Sequence, residues 1–388
     1  MKGSTLTIEV LGIGFPNKGA ELMLDAISQW SAGLPVPSRL VVRWDTSPAD
    51  RLRKGLWAKP WHPQNAKAPY GSLGNYLPGK FFNRLAMVRD KDVDVYLDAS
   101  GYAYGDPWGA GKAANRLGDN IAGWRADGKP VILLPQAFGP FTDDALKAEM
   151  IKICQQANRI YARDQISLQA LSSLGVKEAR ISQGLDFTCL VKGRTFDGIE
   201  AAEGAVGLIP NHKMYALGAA ADRSGYLDFF VGVASGLIKA GRKVVLILHE
   251  GEQDRKLCEE ISSRSGASIP ILAPVDAREV KMAIGSCTAV LTSRFHGFAS
   301  ALFQSVPVLA TSWSHKYEEL AGEFDLRELV LGALDAEAAL QKLAGLADPA
   351  QSEPIRQKLA VHAQRIRKEV QGMWQEIESE IQPVLSRI

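Results

Sequence analysis

An apolar run, Val290-Leu291-Thr292, stops at Ser293, and two potentially cationic side chains, Arg294 and His296, follow two positions apart. Behind them Gly297, Ala299, Ser300 and Ala301 supply the small residues of a tightly packed helix. Backbone N–H groups at a helix N-terminus carry partial positive charge, an arginine fork holds a carboxylate or phosphate through paired hydrogen bonds, and histidine titrates near neutral pH. Ser293, Arg294, His296 and Gly297 therefore read as an anion site; the plainer alternative is a strand-to-helix turn with a surface arginine and a core histidine. Two more apolar runs in the same half end in polar residues, Ile209 in Pro210-Asn211-His212-Lys213 and Leu248 in His249-Glu250-Gly251-Glu252-Gln253-Asp254. Three adjacent strand ends would gather Asn211, Lys213, His249, Arg294 and His296 on one patch. No histidine follows His249 at the four-residue spacing of a metalloprotease helix, and no other metal-ligand spacing occurs, so no metal or cofactor is expected.

The N-terminal half offers a different set. Asp98 to Gly109 follows an apolar run and holds Asp98, Tyr102, Tyr104, Asp106 and Trp108 among four residues of glycine and proline type, Gly101, Gly105, Pro107 and Gly109. Aromatic faces under a pyranose ring and carboxylates on its hydroxyls are what a sugar site uses, and a carboxylate there can act as general base toward a hydroxyl. The alternative is a turn whose aromatics plug the sheet edge. Gln136 follows another strand, and Arg163 stands at a strand-to-helix corner where Asp164 is placed to cap the helix and can equally pair with the arginine. Near the start, Gly14-Phe15-Pro16-Asn17-Lys18-Gly19-Ala20-Glu21 has the glycines and proline of a turn and Asn17 at a capping position, with Lys18 facing a ligand or water. It matches neither GxGxxG nor a P-loop.

These residues need elements to hold them, and the chain alternates short aliphatic runs with amphipathic stretches throughout. Strands are expected at Thr5 to Gly12, Leu40 to Trp44, Val93 to Leu97, Val131 to Leu134, Ala205 to Ile209, Val244 to Leu248, Ala289 to Leu291 and Val306 to Ala310. Helices are expected at Asn17 to Trp30, Asn115 to Trp124, Ala145 to Ala157 and Leu227 to Ala240, and throughout the tail from Ala336 to Ile388. Such alternation predicts parallel α/β sheets in two Rossmann-like domains facing a central cleft, residues 1–195 on the acceptor side and 196–345 on the donor side, with a helical tail at 346–388. The glycine- and charge-rich stretch Lys192 to Gly204 is the expected linker.

Composition closes off other classes. With 388 residues, 46% hydrophobic and 23% charged, the chain is an ordinary globular protein of two-domain size. A net charge of +2 without a basic tract predicts no nucleic-acid partner, whereas a small anionic ligand needs only local charge. The four cysteines form no CxxC pair, which fits a reducing compartment. Met1 to Val10 lacks a secretory pattern and no run reaches bilayer length, so a cytoplasmic location is expected, with peripheral association at the inner face of a membrane left open.

Asn17-Lys18-Gly19-Ala20-Glu21-Leu22, the Asp98 to Gly109 loop, Leu134-Pro135-Gln136-Ala137-Phe138-Gly139-Pro140, Tyr161-Ala162-Arg163-Asp164 with Ser167, and Ser293-Arg294-Phe295-His296-Gly297, in that order, resemble the polysaccharide pyruvyl transferase family. The likeness runs from the first strand to Ser314-His315-Lys316-Tyr317. It implies a GT-B-like fold, phosphoenolpyruvate as donor, and a glycan or lipid-linked sugar as acceptor. Many relatives open with a Gly-Asn-x-Gly-Asp type of turn where this chain has Pro16-Asn17-Lys18-Gly19-Ala20-Glu21, so the acceptor stays open. A carboxylate and a phosphate close together call for several cationic donors. Arg294, Arg163 and Lys213, with Asn211, Ser293 and Gly297, are the expected donor site. Asn17, Lys18, Tyr102, Tyr104, Trp108 and Gln136 are the expected acceptor site. Ketal formation assigns His296 or His249 as general acid and Asp106 or Asp98 as the group that accepts the hydroxyl proton. On this reading Arg294→Ala abolishes donor binding and leaves the fold intact. Two alternatives remain at this stage: a nucleotide-sugar-dependent glycosyltransferase, with Glu318 or Glu319 on the ribose, and a non-catalytic glycan-binding protein of the same fold.

Overall fold

The computed structural model describes residues 5–15, 17–59, 79–177, 180–217, 220–311 and 316–388. The chain divides into two compact units, the first comprising Met1–Phe15, Met23–Thr188 and Glu369–Ile388, the second Pro16–Leu22 and Cys189–Lys368.

The N-terminal unit holds a parallel sheet of β1 (Leu6–Leu11), β2 (Ser38–Arg43), β3 (Trp57–Lys59), β4 (Val95–Asp98), β6 (Val131–Phe138), β7 (Arg159–Ala162) and β8 (Ile181–Gln183) in the order β3-β2-β1-β4-β6-β7-β8, with β5 (Tyr102–Tyr104) paired to β6. The central strands β1, β4 and β6 are buried along nearly their whole length, which is why they read as continuous apolar runs. Glu9, in the middle of β1, is the exception, and Lys59 answers it: its Nζ lies 2.6 Å from Glu9 and 2.8 Å from Asp90. The C-terminal unit repeats the plan with β9 (Val206–Ile209), β10 (Val244–Ile247), β11 (Ile271–Leu272), β12 (Ala289–Thr292), β13 (Val308–Thr311) and β14 (Val330–Leu331) in the order β11-β10-β9-β12-β13-β14.

That order fixes where a ligand can sit. From β9 the chain winds outward through β10 and β11, then returns past β9 to β12, which pairs with it on the other side, Leu208 opposite Leu291 and Ile209 opposite Thr292. The connections that leave β9 and β12 diverge, opening a crevice at the carboxyl ends of these two strands. The N-terminal unit has its own switch point between β1 and β4, where Gly12 adopts φ +85° and a Cβ would overlap Ser100.

Several expected boundaries move. The division expected near residue 195 lies at Thr188 and Cys189. Residues Pro16–Leu22, expected on the acceptor side, group with the C-terminal unit, so the helix Lys18–Ala32 starts in one unit and continues in the other. The tail is no third body: the helix Pro349–Leu385 passes from the second unit to the first after Lys368. Its buried residues Leu359, Ala363, Ile366, Val370, Met373, Ile377 and Ile381 recur every three or four positions, one apolar stripe along the helix. In the first unit this helix stacks Trp374 on Trp30 at 4.7 Å and accepts the Tyr161 hydroxyl on Glu376 at 3.0 Å. Cys154, Cys189, Cys258 and Cys287 are all buried, and burial pushes the thiols of Cys154, Cys258 and Cys287 up to about 12, which leaves these three unreactive at neutral pH.

Candidate active site

The crevice of the C-terminal unit is built on Ser293 and Asn211. Tyr226 takes the Asn211 backbone N–H on its hydroxyl at 2.8 Å and donates to Ser293 Oγ at 2.8 Å. The Ser293 carbonyl accepts from Asn211 Nδ2 at 3.1 Å and from the Tyr317 hydroxyl at 2.9 Å, while Asn211 Oδ1 accepts the Lys213 backbone N–H at 3.0 Å. Both residues are buried with their polar atoms engaged. With these bonds they brace the ends of β9 and β12. Gly297 is structural in the same sense, since a Cβ there would sit 2.7 Å from Thr292 Oγ1.

Around this brace the structure brings Lys18, Lys213, His249, Arg294 and His296 to one place, all in the C-terminal unit. Arg294 precedes the helix Phe295–Phe303 and donates its backbone N–H to Thr292 Oγ1 at 3.0 Å. Its guanidinium, 8% exposed by residue, is held between two carboxylates, Nη1 on Glu250 and Nη2 on Asp254. Arg294 is thus not the free anion fork that its position suggests. Asp254 is fixed further by the backbone N–H groups of His212 at 2.9 Å and Glu250 at 3.0 Å. Lys213 is exposed and stands 3.5 Å from Glu250. Lys18 donates to the Val275 carbonyl at 2.6 Å and to Glu21 at 3.1 Å.

His249 lies in the middle of these charges, 5% exposed, and its Nδ1 has no hydrogen-bond partner. Burial, and then the positive charges of Arg294, His296, Lys18 and Lys213, hold its pKa well below the usual 6.5. The imidazole is therefore neutral at physiological pH. His296, one position into the helix, packs on Gly19, where any Cβ would overlap the imidazole ring. Asn17 caps the helix carrying Gly19, its Oδ1 accepting the Gly19 N–H at 2.9 Å, as its position in the sequence predicts. Gly19→Ala should accordingly push His296 aside. We expect activity to fall at least tenfold while the melting temperature changes by only a few degrees; equal activity in a turnover assay would mean that the His296 position is unimportant.

The residues expected to meet the acceptor separate into two groups. Asp98, Tyr104 and Gln136 are fully buried. Asp98 accepts the Ser100 N–H at 2.9 Å and the Tyr104 hydroxyl, Tyr104 stacks on Phe138 at 5.7 Å, and Gln136 reaches the Asp98 carbonyl at 3.5 Å. They form the core of the loop: Asp98 and Tyr104 are buried against each other, away from the open positions expected of a base and a sugar platform, whereas Gln136 keeps its Oε1 without a hydrogen-bond partner. Asp106 is at the surface with both oxygens on Thr142, from the N–H at 2.8 Å and the hydroxyl at 2.8 Å, and these bonds hold its pKa below the ordinary carboxylate value. Trp108, 49% exposed, meets Tyr102 edge-on at 6.0 Å and presents an open aromatic face. Arg163 belongs to the N-terminal unit; burial lowers its pKa against the pull of Asp164 and Asp186. Asp164 caps its helix through the Ser167 N–H at 2.7 Å, as expected. Pro16, Ser314 and His315 lie outside the described residues.

Glu250 and Asp254 are the members of this cluster that sequence reasoning passed over. The signal was there: an arginine expected to be buried needs a counter-ion, and two acids four positions apart follow His249 directly.

The polysaccharide pyruvyl transferase model matches residues 17–315 of this chain. The chain belongs to the polysaccharide pyruvyl transferase family. The match begins at Asn17 and spans β9, β10 and β12, hence all five members of the cationic cluster. No curated protein matches the chain. Among solved structures, a putative UDP-N-acetylglucosamine 2-epimerase from Listeria monocytogenes aligns with TM-score 0.55 at 12% identity over 96% of this chain and 98% of its own. S. aureus MnaA with UDP aligns with TM-score 0.56 at 12% identity, over 94% and 95%. Anabaena HepE in complex with UDP and glucose aligns with TM-score 0.55 at 12% identity, over 97% and 99%. These likenesses establish the GT-B-like α/β fold of this pyruvyl transferase family member, ending in a helical C-terminal segment. Among the described residues no helix is long and apolar enough to cross a membrane, and no group of three or more His, Cys, Asp or Glu side chains is placed to hold a metal.

Proposed function

We propose that the protein transfers the pyruvyl group of phosphoenolpyruvate to two hydroxyls of a sugar, forming a ketal and releasing phosphate. The observation that carries this reading is His249, which follows β10 and is buried with an unpartnered Nδ1 among Arg294, His296, Lys18 and Lys213. A base kept neutral by burial and by the cations around it stands in a positive field that a compact polyanion relieves. Lys18, Lys213 and the N-terminus of the helix Phe295–Phe303 face the phosphate, and Arg294 joins them through the Glu250 side of its fork.

The reaction protonates the methylene carbon, leaves an oxocarbenium-like centre at C2, and closes two C–O bonds from the sugar while the C–O bond to phosphate breaks. One of the two hydroxyl protons balances the new methyl group and the other leaves with phosphate. His296 or His249, protonated once the polyanion is bound, is the acid for the first step. Tyr102 and Trp108 provide the aromatic face for the acceptor, and Asp106 is the half-buried carboxylate beside Tyr102. A location in the cytoplasm, where phosphoenolpyruvate is made, fits this donor.

Thermal shift separates the donor classes. Phosphoenolpyruvate at a hundred times its Kd should stabilise the protein by about 2.7 kcal/mol, with UDP and GDP inert. Phosphate release in the presence of galactose-, mannose- or N-acetylmannosamine-containing acceptors should follow. Stabilisation by UDP or GDP alone would transfer the protein to the nucleotide-sugar class.

A further inference from the structure

Each permanent cation of the cluster already has a carboxylate: Lys18 has Glu21, Lys213 has Glu250, and Arg294 has Glu250 and Asp254. A polyanion that is to take the Arg294 fork must compete with one of these acids. Glu21 is fully buried, and Asp254, 1% exposed, is fixed by two backbone N–H groups besides Arg294. Removing either from its place would strand buried donors.

Glu250 is held differently. It precedes the helix Gly251–Arg264 but its side chain caps no N–H of that helix. Its side chain is 16% exposed, and its carboxylate contacts are Arg294 Nη1 and Lys213 Nζ. One oxygen, Oε2, serves both cations, as a single phosphate or carboxylate oxygen of a ligand would. We propose that Glu250 is an internal stand-in for the donor's anionic group, occupying the Arg294–Lys213 site in the resting protein and swinging out when the donor binds. The proposal rests on the phosphoenolpyruvate reading above. The exchange is favourable because a phosphate monoester carries between about one and a half and two negative charges at neutral pH, against one on Glu250. It also makes the site selective: an uncharged sugar or a weak monoanion cannot displace the carboxylate, so Arg294 stays closed to it.

The test is titration of wild-type protein, Glu250→Gln and Glu252→Gln with phosphoenolpyruvate and with inorganic phosphate, followed by calorimetry. Glu252 is an exposed neighbour that pairs with Arg255 at 3.6 Å, so its variant carries the same change of net charge without touching Arg294. We expect Glu250→Gln to bind both ligands about tenfold more tightly than wild type, the effect of losing one charge-assisted competitor. Glu252→Gln should bind as wild type does. Unchanged or weaker binding by Glu250→Gln, or an equal gain in both variants, overturns the proposal, and a melting temperature lowered by several degrees without tighter binding would mark Glu250 as a structural strut. Absence of binding by all three proteins would instead remove the phosphoenolpyruvate reading itself.

Discussion

Replacing Arg294 by alanine should cost about 3–5 kcal/mol of stability, which is the usual consequence of stranding the partner of a buried ion pair. The cause is Asp254, 1% exposed, whose remaining donors are the backbone N–H groups of His212 and Glu250. Two N–H bonds do not compensate a buried carboxylate as a guanidinium does. Urea unfolding followed by circular dichroism would register the loss as a lower midpoint at constant slope. Pairing the substitution with Asp254→Asn should recover a large part of it, because the stranded charge is then gone. An Arg294→Ala protein as stable as wild type, with only ligand binding lost, would show instead that Arg294 serves the ligand alone, as the bare sequence implies.

That contrast shows where the sequence was legible. The strand ends, the order of the polar segments and the Asn17 cap follow from apolar periodicity and turn chemistry, which are local. The eight strands expected from alternating runs therefore appear, as β1, β2, β4, β6, β9, β10, β12 and β13, with β9, β10 and β12 each within a residue or two, whereas the short strands β3, β5, β8, β11 and β14 carry too few apolar residues to stand out. The partners of the polar residues are not local. Arg294 and Glu250 are 44 positions apart, and Tyr104 and Asp98, though only 6 apart, meet across a turn whose geometry no spacing rule supplies. A loop of aspartates and aromatics looks like a sugar site whether its side chains point out, as Trp108 does, or in, as Tyr104 does. The one-unit-or-the-other assignment of Lys18 and Gly19 was hidden for a related reason: the helix that begins there spans both units, and only its first turn packs with the C-terminal unit.

The location of that first turn also changes how departure from the common Gly-Asn-x-Gly-Asp turn is understood. In this chain the segment packs beside His249 and His296, with Lys18 among the charges acting on His249. Variation there alters the electrostatics of the anion site, in addition to any acceptor preference. A lysine in this turn adds positive charge beside a histidine already surrounded by it.

His249 then gives a pH signature of opposite sign in the free and the ligand-bound protein. In the unfolded chain its imidazole takes up a proton near 6.5, whereas in the folded protein it does so only at much lower pH. Between those two values the unfolded state holds one more proton, so acidification below 6.5 should lower stability by up to about 1.4 kcal/mol per pH unit from this residue. Above 6.5 neither state is protonated and His249 contributes no slope. His249→Asn should flatten the acid limb of the stability curve by that amount. A bound polyanion reverses the field: its negative charge raises the pKa of His249, and binding near pH 6 should take up as much as one proton. Calorimetric titration with phosphoenolpyruvate in two buffers of different ionisation enthalpy measures this uptake, and the ligand's own protons cancel in the difference between wild type and His249→Asn. A difference of zero would mean that the ligand sits away from His249, and the site at the end of β9 and β12 would lose the group that makes it an acid as well as a receptor.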